Sequence, residues 1–103
     1  MGGEAAALTR LPEDAVTSLR RAFAGELAER LPLLRDLRDS AAPDREAARR
    51  AAHALASSAA VVGEADASRA ARALEVLLVE GADVDDLRGG ADEVVGLLEG
   101  WQP

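Results

Sequence analysis

Apolar residues in this chain recur at three- and four-residue steps, and that period restricts the fold more than any other feature. The first series runs Val16, Leu19, Phe23, Leu27, Leu31, Leu34 and Leu37, which is one face of an α-helix. Ala48, Ala52, Leu55, Ala59 and Val62 repeat the spacing, followed by Ala67, Ala71, Leu74 and Leu78. A last series comprises Val84, Leu87, Ala91, Val94, Leu98 and Trp101. Apolar residues make up 49% of the 103-residue chain and aromatic residues only 2%. A core of that composition is built from closely approaching helices with Leu and Val fillers, since a sheet favours β-branched and aromatic residues. The length suits one domain.

The residues between the series read as starts and stops. Pro12, Glu13 and Asp14 place a proline and two acids where a helix begins. Pro32 stands inside the first series and removes the hydrogen bond to the Ala28 carbonyl, which kinks or splits a helix; because the apolar stripe runs straight through, a kink rather than a true break is expected. Asp39, Ser40 and Pro43 mark a turn, with the second helix starting near Pro43 or Asp44. Gly63 and Gly81 fit left-handed helix closures. The third helix is expected from Glu64 to Asp66 onward, and Asp83 is the expected cap of the fourth. Gly89-Gly90 lowers helix propensity inside that last helix, and whether the helix breaks there is left open by the sequence. The predicted fold is all-α, an antiparallel up-down-up-down four-helix bundle over residues 11–101, preceded by a flexible lead-in over residues 1–10.

Composition removes several functions. The chain has no cysteine, which excludes disulfides, thiolate metal sites and thiol nucleophiles. With one histidine, a metal centre would need at least three carboxylate ligands, and none is expected. A net charge of -7 argues against nonspecific nucleic-acid or anionic-membrane binding. No apolar run has membrane-spanning length, and the N-terminus lacks the pattern of a signal peptide. The expectation is a soluble cytoplasmic protein.

The single histidine, His53, stands one residue past core position Ala52, about 100° around the helix from the buried stripe. Its own stripe is Arg49, His53, Ala56 or Ser57, and Ala60. With Arg50 and Ser68, the small residues Ala56 and Ala60 make a surface that another protein would approach closely. That stripe alone does not separate a reactive histidine from an ordinary surface one. The next helix adds Ser68, Arg72, Glu75 and Val79 one residue past its core, and antiparallel flanking stripes meet. If the hairpin turns at Gly63, His53 faces Arg72 to Glu75. A carboxylate there accepts a hydrogen bond from Nδ1-H and leaves Nε2 free as a nucleophile. The same Arg-Glu pair is also what an ordinary surface ion pair looks like. Residues 43–73 carry five arginines against four acids, a net +1, so the remainder sums to -8. Such a patch would steer toward an acidic partner surface.

His53-Ala54-Leu55-Ala56-Ser57-Ser58-Ala59, then Gly63, then Leu74-Glu75 resemble the signature of histidine-containing phosphotransfer (HPt) domains. That family reads His-x-Leu-Lys-Gly-Ser, with a glycine at the hairpin and Leu-Glu late in the next helix. The resemblance covers roughly residues 12–100, and it is specific over 48–75. It implies a monomeric four-helix bundle that accepts a phosphoryl group on His53 from a receiver-domain aspartate and passes it on. The partners implied are a response-regulator receiver domain and a hybrid histidine kinase, with Mg²⁺ on the receiver and no cofactor here. Such domains carry phosphate and turn over little themselves. Two positions depart from the pattern. The family lysine is Ala56, for which Arg49 or Arg72 would substitute, and the family glycine is Ser57, whose hydroxyl would bond a phosphoryl oxygen or hinder docking. The alternative reading is a non-phosphorylated module or adaptor of the same fold that docks on a receiver or kinase.

Overall fold

A computed structural model describes residues 12–103; the lead-in expected over residues 1–10 lies outside them. Four helices follow in order: α1 (Glu13–Asp39), α2 (Arg45–Val61), α3 (Ala65–Glu80) and α4 (Val84–Leu98). Each packs on its two neighbours in a closed ring, α1 on α2, α2 on α3, α3 on α4 and α4 back on α1. Short connections make successive helices antiparallel, as the up-down-up-down reading requires.

Helix α1 begins directly after Pro12, with Glu13 and Asp14 in its first turn. It buries Phe23, Leu27, Leu31, Leu34 and Leu37. The helix is continuous through Pro32, without a true break, as the uninterrupted apolar stripe predicts. Pro32 and Ala28 are both exposed, which leaves the carbonyl deprived of its partner facing water. The buried leucines on either side keep the helix seated. Asp44 caps α2 by accepting from the Ala47 amide at 3.0 Å, and Asp83 caps α4 by accepting from Asp86 at 3.1 Å, each satisfying an otherwise orphaned donor.

Gly63 turns the chain between α2 and α3. Its φ of +83° is left-handed, where a side chain would be strained. The Glu64 amide donates to the Ala59 carbonyl at 2.8 Å and the Gly63 amide to Ala60 at 3.1 Å, the paired closure of a Schellman turn. Gly81 closes α3 in the same way, with Ala82 donating to Leu77 at 3.0 Å.

The core sets long side chains on α1 and α4 against mostly alanines on α2 and α3, each of which adds one buried leucine. Phe23, Leu34, Leu37, Leu55, Leu74, Leu87, Leu98, Val94 and Val95 are its largest fully buried members. The alanines Ala48, Ala51, Ala52, Ala56 and Ala59 are buried on α2. Val84, expected in the core stripe, is instead exposed at the start of α4. Helix α4 runs unbroken through Gly89-Gly90, which answers the question the two glycines left open. Gly90 has a packing role, because a Cβ there would stand 3.0 Å from Leu74 Cδ1. Beyond α4, Trp101 meets Phe23 edge-on at 4.8 Å, and its indole N–H donates to Glu64 at 3.2 Å. That contact ties the C-terminal segment to the α2–α3 end of the bundle.

Candidate functional site

Helices α2 and α3 bring His53 and Glu75 together. Glu75 Oε2 lies 2.8 Å from His53 Nδ1. A carboxylate only accepts, so Nδ1 carries the proton and the neutral ring keeps its lone pair on Nε2. The His53 side chain is 67% exposed and Glu75 only 21%. The ring therefore stands in solvent with one nitrogen tethered and the other free.

His53, Ala56, Ser57, Arg72 and Glu75 line one depression of about 190 Å³. Four of the five were singled out in the sequence as acceptor or supporting residues, and they converge here. Arg49 stands beside them without lining the depression. Its guanidinium is bidentate on Glu46, Nε to Oε1 at 2.9 Å and Nη2 to Oε2 at 2.8 Å. Those bonds hold the Glu46 carboxyl below its ordinary range and raise the Arg49 guanidinium. Arg49 Nη1 also comes within 3.9 Å of Glu75 Oε2, a long contact that adds positive charge behind the carboxylate.

The expected docking surface needs correction at two of its four residues, Ala56 and Ser68, which are buried. Ala56 is only 3% exposed and serves as the floor of the depression. Ser68 is buried, and its hydroxyl donates to the Ala56 carbonyl at 2.6 Å. Around α2, Ala56 lies about 60° nearer the core than His53, and an alanine-rich interface lets α3 approach closely enough to cover it. Arg50 pairs with Glu46 at 3.3 Å and lines a different depression between α1 and α2, with Glu29, Arg30, Leu33, Ala47 and Ala51. Ala60 alone keeps partial exposure on the His53 side. Within the basic patch Arg49, Arg50 and Arg69 are all ion-paired with Glu46 or Asp66.

Sequence reasoning missed two features. Glu46 captures Arg49 and Arg50 of α2, a pairing signalled by their spacing of three and four residues. The Ser68 bond to Ala56, two turns of α3 from Glu75, had no sequence signal beyond a small polar residue beside the stripe. Among the described residues no group of three potential ligands could hold a metal ion. No helix among them is long and apolar enough to cross a membrane.

The Hpt domain family model matches residues 18–102, most of the bundle, and the chain belongs to that family. It is a histidine phosphotransfer module of the kind that works in phosphorelays with receiver domains and kinases, as a phosphocarrier. No curated protein and no solved structure gave a significant match to the chain.

Proposed function

We propose that His53 is the phosphoryl acceptor and that the chain relays phosphate between receiver domains, or from a hybrid kinase's receiver to another. The observation that carries this is the Glu75 contact at 2.8 Å to Nδ1 of an exposed histidine, which leaves Nε2 unprotonated toward solvent. In the forward step the Nε2 lone pair attacks the phosphorus of a receiver's aspartyl phosphate. The N–P bond forms as the bond from phosphorus to the acyl oxygen breaks, and the aspartate leaves as a carboxylate. The ring keeps its Nδ1 proton and becomes a phosphorylated imidazolium, whose positive charge Glu75 faces. The return step onto a second receiver aspartate runs the same bonds in reverse.

Such transfers depend on in-line positioning and charge neutralisation more than on side-chain chemistry. A bundle with one exposed imidazole suits that division of labour. The receiver supplies its Mg²⁺ and acidic pocket; this chain holds the ring and needs no cofactor of its own. The exposed ring on a bundle flank is reachable by a partner without opening the fold, which supports action as a monomer.

The test is incubation with a phosphorylated receiver domain, followed by label on the chain. Wild type is expected to acquire acid-labile label and His53→Gln none. Equal label on both sinks the assignment of His53. Binding of the receiver without any label on wild type favours the docking module instead.

A further inference from the structure

A phosphoryl group on Nε2 would add roughly two negative charges to a surface where Glu75 already places one, 2.8 Å from the same ring. The imidazolium offsets part of that charge. The phosphoryl oxygens still need donors on the Nε2 side, and the identity of the donor is not obvious from sequence. Five arginines lie between residues 43 and 73. Arg49 and Arg50 share Glu46, and Arg69 is held by Asp66. Arg45 opens α2 and does not line the depression. Arg72 does line it, is exposed, and makes no ion pair among the described residues. Ser57, one turn after His53, shares the same depression and is exposed.

We infer that Arg72 and Ser57 are the phosphoryl-binding pair of this site, an assignment that rests on His53 being the acceptor. The Arg72 guanidinium donates to two phosphoryl oxygens in the bidentate manner its planar fork allows. The Ser57 hydroxyl donates to the third. The charge therefore comes across the interface from α3, three residues before Glu75, while α2 contributes the nucleophile and a hydroxyl. Arg49 is a different kind of residue. Its bonds to Glu46 and its long contact to Glu75 make it a support for the carboxylate, and it does not line the depression.

The experiment loads the full chain with phosphoramidate, a small phosphodonor that needs no docking surface, and follows the N–P signal by phosphorus NMR. Loss of charge-assisted bonds predicts that Arg72→Ala lowers the steady-state phosphohistidine level by about tenfold. Arg72→Lys recovers part of the loss, and Ser57→Ala gives a smaller drop of about threefold. Arg69→Ala, at a residue held by Asp66 outside the depression, stays within about twofold of wild type, and any loss from Arg49→Ala is smaller than that from Arg72→Ala. On loading, the Arg72 Nε–H resonance of wild type shifts, which a merely structural residue would not do. Any variant whose circular dichroism departs from wild type is replaced by Arg72→Gln. An Arg72→Ala level equal to wild type, or a larger loss from Arg49→Ala, overturns the pair while leaving His53 as carrier. A wild type that takes no phosphoryl group overturns the carrier reading and this pair with it.

Discussion

Glu75 is largely covered by its surroundings while the ring it meets is open to solvent, so the carboxylate is the fixed partner and the imidazole the positioned one. Two substitutions separate what it contributes. Glu75→Ala removes the acceptor, frees the ring to rotate and change tautomer, and should slow phosphorylation by about tenfold, the worth of a hydrogen bond to a charged group. Glu75→Gln keeps an acceptor but removes the charge facing the imidazolium. Its expected signature is a transfer equilibrium displaced toward the receiver with a smaller change in forward rate. Single-turnover transfer measured in both directions distinguishes the two outcomes. That His53 would face the stretch from Arg72 to Glu75 was legible from counting outward from Gly63, since the hairpin turn fixes the register. Which arginine stays available was not, because it depends on where Glu46 sends its two oxygens.

Along α4 the two adjacent glycines have opposite surroundings. A Cβ at Gly89 meets nothing within 4 Å, whereas at Gly90 it meets Leu74 Cδ1 at 3.0 Å and Leu77 Cδ1 at 3.4 Å. Gly89→Ala should stabilise the bundle by about 1 kcal/mol through helix propensity alone. Gly90→Ala gains the same propensity but must displace Leu74, which is fully buried, and so should give well under half that gain or a net loss. Urea denaturation of the two variants measures the difference. The helices themselves were readable because leucines mark the buried face and Asp44, Gly63, Gly81 and Asp83 mark its ends. The width of the buried face on α2 was not readable. Alanine is equally at home inside and outside, so Ala56 passed for surface until α3 was seen to cover it. At Gly90 and Pro32 local propensity argues for breaks, and packing of Leu74, Leu31 and Leu34 overrides it; at Pro32 the unbroken stripe already pointed that way.

The molecule carries -7 overall, yet several of its carboxylates are committed to arginines across the surface. Arg38 bonds Asp39 at 2.7 Å and approaches Asp92 at 3.5 Å, joining α1 to α4. The hydrogen bond from Arg38 holds Asp39 below its ordinary range, as those from Arg49 do for Glu46. A depressed folded value means that the folded chain binds the proton less readily than the unfolded one. The resulting stabilisation is present above the unfolded values of about 4 to 4.5 and is lost as pH falls through the folded ones. Both groups are solvated, so the effect is small. Thermal melts from pH 6 to pH 3 should show a shallower fall for Asp39→Asn/Glu46→Gln than for wild type, with the two converging at the acid end. At this scale the division of the bundle also has a consequence for its history. Every group assigned to the site, from Glu46 to Glu75, lies on one uninterrupted helical hairpin, and α1 and α4 supply none of them. The outer helices need only keep their leucine and valine ridges covered. Their exposed faces are open to drift, and new partners can be acquired there by mutation without disturbing the chemistry, which is inherited as a single contiguous cassette.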